Sequence, residues 1–299
     1  MTDFDQLQSQ DTVYALAAGP DGLCYAGRAS GLYRSTDYGA NWVFAYEKLE
    51  SETPLTTTSV ALAADGSVFA GVNGGVLRSS DGGVTWYGSG LSTPPPLVTA
   101  LVVSPDYEQD GLILAGTAED GVFSSADRGV HWSPWNFGLI DLNVYSLALS
   151  PDFAHDQTAY AGTETGIFRS TNGGRAWRSL PFPIDAAPIL SLAAAPDGRL
   201  FAGTERSGLY VSMDRGATWQ HVDTTGPSTG GVNSIVLLPP HLWLLLDDRV
   251  LMSPDQGATW QQEPAYTLDA QGLALAVFPG APVRLLVGLA EGGIQRLGC

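Results

Sequence analysis

The sequence predicts an all-β fold: a single seven-bladed β-propeller of four-stranded antiparallel blades. Three observations predict it. A motif, Ser-x-Asp-x-Gly-x-x-Trp, recurs through the chain with a period of 41 to 46 residues. Short apolar segments bounded by turn residues fill each period. The 36 glycines and 19 prolines among 299 residues supply the turns that many short strands need. A repeat of this length marks a stacked or radial architecture, and four short strands per period make a propeller blade.

The motif occupies residues 35–42, 79–86, 125–132, 170–177, 212–219 and 253–260. Each copy follows a short apolar strand, such as Gly31-Leu32-Tyr33-Arg34, and leads into another that begins at its tryptophan. It is therefore a hairpin turn. Its third residue is Asp37, Asp81, Asp127, Asn172, Asp214 or Asp255. These side-chain oxygens can accept bonds from the turn's own amides, and an amide oxygen at Asn172 serves as well. The recurring glycine suits a positive φ. The tryptophans (Trp42, Trp86, Trp132, Trp177, Trp219 and Trp260) offer a large apolar surface that would cover the turn and pack against the next repeat, as part of the core. Copies distributed around a ring do not form one active site, so these carboxylates read as structural rather than catalytic or metal-binding.

The motif resembles the Asp-box, or BNR repeat, of sialidases, xyloglucanases, the sortilin ectodomain and the photosystem II stability/assembly factor group. The resemblance spans almost the whole chain and implies the propeller fold. It leaves activity open, because those families share architecture and differ in chemistry.

In each repeat a first strand is expected at 13–17, 60–63, 98–103, 144–149, 189–193, 232–237 and 273–277, one more than the boxes. The second strand ends in a small pair, such as Ala26-Gly27 or Ala202-Gly203, which would let neighbouring sheets approach closely. The sixth repeat breaks that rule with Trp243-Leu244-Leu245-Leu246. Blades are expected at about 11–50, 57–95, 96–140, 142–185, 187–228, 231–266 and 270–299, the last completed by residues 1–10. The spacing from box tryptophan to next first strand, 12 or 13 residues except after Trp42, supports that closure, because 12 residues before Val13 lies Met1. Gly293-Ile294-Gln295-Arg296 matches a third strand, and Cys299 falls where a box aspartate would stand.

Composition narrows the function. Only 15% of residues are charged, and the net charge of −17 arises from scarce basic residues, 13 arginines and Lys48. Nucleic acids and anionic membranes need clustered Lys/Arg, so they are poor partners and a cationic one is favoured. Cys24 and Cys299 are too few for a disulfide framework; two free thiols are the plainer reading, with a single pair between them as the alternative. The acidic start, Met1-Thr2-Asp3-Phe4-Asp5, has no signal-peptide pattern. The most apolar stretch, 235–246, is interrupted by Pro239-Pro240-His241 and is too short to span a bilayer. A cytoplasmic monomer without cofactor or metal is expected.

Antiparallel strands put alternate turns on opposite faces. The boxes share one face with the first-to-second turns. The second-to-third turns share the other with the blade-to-blade loops. The candidate binding residues lie on this second face: Glu119, Asp120, Glu164, Glu205, Asp247, Asp248 and Glu291, interrupted by Arg28 and Arg206. Carboxylates around a channel mouth would focus negative potential and could hold a cation, a basic peptide or a polar sugar. Solvated turns are commonly acidic as well. The loop 46–58 is longer than its counterparts. Trp135, Phe137, Phe182 and Tyr266 fall in blade-connecting loops, as an aromatic platform or as caps on the core. The Asp-rich turns containing Tyr107, Asp110, Phe153, His155 and Asp156 lack the spacing of a calcium loop.

No catalytic residues are assigned. The R-I-P signature of sialidases is absent, the region before the first box reading Tyr25-Ala26-Gly27-Arg28. Arg34, Arg78, Arg169 and Arg296 recur at one equivalent blade position, which points to structure. Xyloglucanases place their carboxylates between two propellers, and this chain has residues for one. The expectation is a non-enzymatic binding or assembly scaffold for a protein or cationic partner, with a glycoside hydrolase or carbohydrate-binding protein as the alternative.

Overall fold

The second strand of each repeat is an unbroken apolar run, the pattern of a strand covered on both faces. In the computed structural model, which describes residues 11–49, 55–224, 230–261, 266–280 and 282–298, Val68–Val72, Ile113–Thr117, Ala159–Thr163 and Leu200–Thr204 are buried at every position. They lie inside antiparallel sheets whose strands follow chain order. The first blade comprises Val13–Ala18, Cys24–Arg28, Gly31–Ser35 and Val43–Phe44.

There are seven sheets, five with four strands and two with three described strands. The two are blade six (Val232–Leu238, His241–Leu246, Val250–Ser253) and blade seven (Gly272–Phe278, Arg284–Leu289, Ile294–Leu297). In blade six, Gln261 bridges Met252 where an outer strand would begin. The outer strand of blade seven, expected from residues 1–10, lies outside the described residues. First strands pack side by side, blade seven against blade one, which closes the ring. All seven line a central channel of about 240 Å³. The core consists of apolar clusters between neighbouring blades, such as Leu114 and Trp177 with Leu147 and Phe168.

The small pair has a direct cause. A Cβ on Gly71 would lie 2.6 Å from Val98 of the next blade, and one on Gly288 would lie 2.5 Å from Val13. Each inner strand also skips one residue in its register, at Tyr14, Thr58, Thr99, Tyr145, Leu190, Asn233 and Leu273. Such a bulge bends the strand and re-aims a side chain. Here it places donors against the neighbouring blade. Thr58 and Thr99 donate to the carbonyls of Val98 and Val144. Ser146 donates to Ile189 O (2.9 Å), Ser191 to Val232 O (2.8 Å) and Asn233 to Gly272 O (2.7 Å). At the two remaining interfaces the bond runs backward, from Thr56 to Ala29 O and from Thr12 to Ala290 O, both 2.8 Å.

The boxes are self-contained turns. In the second, Ser79 Oγ donates to Asp81 (2.8 Å) and accepts from Gly83 N (2.8 Å), while Asp81 accepts from Thr85 N and Thr85 Oγ1 (2.8 and 2.6 Å). Asn41, His131, Thr218 and Thr259 take the place of Thr85 in the other aspartate boxes. The fourth box pairs Asn172, whose Oδ1 accepts from the backbone of residue 176, with Ala176, which has no side-chain donor.

Two expectations change. The box tryptophans reach the preceding blade, not the next: Trp86 Nε1 donates to Ala45 O (3.0 Å) and Trp177 Nε1 to Trp135 O (2.8 Å). Chain direction sets this, because each outer strand ends beside the box of the following blade. Trp86 and Trp177 are buried, but Trp42, Trp132, Trp219 and Trp260 are only half-buried, since they cap the outer rim. The longer turns, which lack calcium-loop spacing, close as single helical turns, Tyr107–Asp110 and Phe153–Asp156. Asp110 and Asp156 accept from Ser104 (2.6 Å) and Ser150 (2.8 Å), so they organise the turn. Cys24 is a buried free thiol, and loss of hydration pushes its pKa up to about 11; Cys299 lies outside the described residues.

Candidate functional site: the acidic mouth

Every second-to-third turn lies beside the mouth opposite the boxes, because a strand's length separates the two ends of each blade. The candidate residues divide there by their partners. Arg28 pairs with Asp11 (3.1 Å) and donates to Gly292 O of blade seven (3.1 Å), so it braces the ring closure. Arg206 pairs with Glu205 (3.1 Å), and Arg249 with Asp248 (3.0 Å). Asp247 turns inward and accepts from Asn233 Nδ2 (3.0 Å), Gln271 Nε2 (3.2 Å) and Gly231 N (3.4 Å). Glu291 is exposed on blade seven.

Blades three and four bring the most such unpaired carboxylates together. Glu119, Asp120 and Glu164 form no ion pair among the described residues, and neither does Asp141. Glu119 sits at a turn tip with φ 73° and is exposed. Asn143 ties the group together: its side chain accepts from Glu119 N (3.0 Å) and donates to Glu164 (2.8 Å). Asp141 accepts from Asn143 N (3.1 Å), Thr165 N (2.8 Å) and Thr165 Oγ1 (2.6 Å). Burial alone would raise the Asp141 pKa. Its hydrogen bonds, from Thr165 first, outweigh that and hold the carboxyl below the usual range. Tyr145, bulged into the mouth beside them, has its phenol pKa raised by loss of hydration and then by Glu164, Asp141 and Glu205.

Arginine thus pairs with a carboxylate on blades one, five and six, Asp247 and Glu291 stand without an ion pair among the described residues, and the largest group without one lies over blades three and four. Asp141, Asn143 and Tyr145 join the site although the repeat pattern of the sequence does not single them out. Asp141 and Asn143 fall in a blade-connecting loop where no repeat position marks them. The signal that could have found them is the crowding of Leu139, Ile140, Asp141 and Leu142 into one such loop.

The aromatic loop residues do not form a platform. Phe182 packs edge-on against Tyr210 and Trp219 (5.1 and 5.2 Å), and Tyr266 against Trp243 (6.0 Å), on different blades. No group of three or more metal-ligating side chains occurs among the described residues. None of their helices is long and apolar enough to cross a membrane.

The fold and its boxes define a seven-bladed Asp-box propeller. No protein-family model matches the sequence, and no curated protein matches it. Solved structures do. A GH74 xyloglucanase from Xanthomonas campestris is similar at TM-score 0.78 and 18% identity, over 96% of this chain and 52% of that one. YCF48 bound to a D1 peptide is similar at TM-score 0.75 and 18% identity, over 98% of this chain and 95% of that one. YCF48 from Cyanidioschyzon merolae gives TM-score 0.70 at 15% identity, over 97% and 96%. This chain spans about half the length of the xyloglucanase, and identities this low speak for the fold alone.

Proposed function

We propose that this propeller is a non-enzymatic binding or assembly module that presents its acidic mouth to a basic segment of a protein partner. The observation that carries this reading is the arc of Glu119, Asp120, Asp141 and Glu164, which no arginine or lysine neutralises among the described residues. Of these, Asp141 and Glu164 are held by bonds from Asn143 and Thr165 and are preorganised, so little is lost in ordering them when a cation arrives. The similarity to YCF48, a propeller of nearly the same length solved with a peptide, supports a peptide-binding role.

The alternative is a glycoside hydrolase or carbohydrate-binding protein using the same carboxylates, and the GH74 xyloglucanases are its support. A glycosidase acid needs a raised pKa, whereas Asp141 is lowered. The test is capture of partners from source-cell lysate by wild-type protein and by E119Q/D120N/E164Q, at low and moderate salt. A defined partner lost with the substitutions and with salt supports the module. Equal capture by the variant contradicts it, and glycan hydrolysis by the wild type alone would establish the alternative.

A further inference from the structure

The loop that carries Asp141 also exposes apolar surface. Ile140 is 84% exposed and Leu142 37%, while Leu139 between Phe137 and Ile140 is buried and anchors the loop. Leu97, 39% exposed, stands on the other side of the blade-three turn. The backbone holds Leu97 and Leu142 in register with the acids: Ala118 N donates to Leu97 O and Gly121 N to Leu142 O, both 3.0 Å. The Glu119-Asp120 tip therefore lies between Leu97 on one side and Leu142 on the other. Phe137 does not belong to this patch, since it borders a separate cleft with Arg169 and Arg178.

Large aliphatic side chains on a bonded loop, alternating with carboxylates that lack a cation, make a surface with two demands. It excludes a purely polar partner, which would leave the aliphatic groups in water, and a purely apolar one, which would strip water from unpaired charge. We infer that Leu97, Ile140 and Leu142, with Glu119, Asp120 and Glu164 around them, dock a basic amphipathic segment in which lysine or arginine alternates with aliphatic residues. The inference rests on the reading of the acidic mouth as a protein-binding face and specifies what that face selects. Charge complementarity supplies attraction and register, and burial of the aliphatic groups supplies selectivity against other cations.

The test is fluorescence anisotropy with two synthetic peptides of equal length and charge, one alternating lysine with leucine and the other lysine with serine. Probes of equal charge isolate the apolar contribution. The wild type is expected to bind the lysine–leucine peptide roughly tenfold more tightly. I140S/L142S should bring the two peptides to equal affinity, while E119Q/D120N/E164Q should weaken both. Thermal melts of both variants should match the wild type, because the altered side chains are exposed or at the surface. Equal affinity of the wild type for both peptides overturns the docking surface and leaves the acidic-mouth reading standing. Binding of neither peptide overturns both.

Discussion

Leu245 shares with Leu268 the space that Gly272 leaves: a Cβ built on Gly272 would lie 2.7 Å from the Cδ1 atom of each. At the other interfaces the geometry is reversed, with glycine on the second strand and the larger residue on the next blade, as in Gly203 against Val232. The exception in the sixth repeat is therefore a swap of large and small residues between two blades.

That swap predicts coupling. G272V alone should destabilise by about 1–3 kcal/mol through overpacking, and L245G alone by about 2–5 kcal/mol through the cavity it leaves. The double variant relieves the contact with Leu245 and keeps the one with Leu268, so its loss should be smaller than the sum of the single losses without vanishing. Denaturant melts of the full cycle measure this, and additive losses would contradict the swap.

The bonds between inner strands predict a second effect. S146A and S191A each leave a carbonyl of the next blade, Ile189 O or Val232 O, without its buried donor. Each should cost about 1–3 kcal/mol, read as a lower denaturant midpoint. A control substitution at exposed Ser133 should change nothing measurable.

The boxes give a pH dependence. Bonds from the residue-41 side chain, the residue-131 amide and the residue-218 side chain lead those that hold Asp37, Asp127 and Asp214 at about 2. Their folded pKa values lie below the unfolded ones, so their stabilisation is present above about pH 4 and is lost as pH falls toward about 2. N172D/A176T rebuilds the fourth box in the aspartate–threonine form. It should raise the melting temperature at neutral pH and lose that gain in acid; a gain that is independent of pH would contradict the account.

Much of this fold is legible in the sequence because its causes are local. The boxes, the small pairs and the seven inner strands each declare themselves within a few residues. Long-range compensation is not local: nothing near Gly272 announces that it answers Leu245, and nothing near Thr58 announces a bond to the next blade. The candidate site shows the same division. Acidic turn residues can be read from their repeat position, but whether Asp248 has Arg249 beside it in space, or Asp120 has no cation, depends on side-chain direction. Asp141 joins the site through Thr165 and Asn143, partners that only the closed ring brings to it.

The most direct measurement of the central claim is hydrogen exchange on the propeller, free and saturated with a lysine-rich peptide. Slowed exchange confined to the turns around residues 118–121 and 140–144, and weakened by salt, is the predicted result. Protection of the box turns on the opposite face, or no protection at all, would contradict a binding module seated on the acidic mouth.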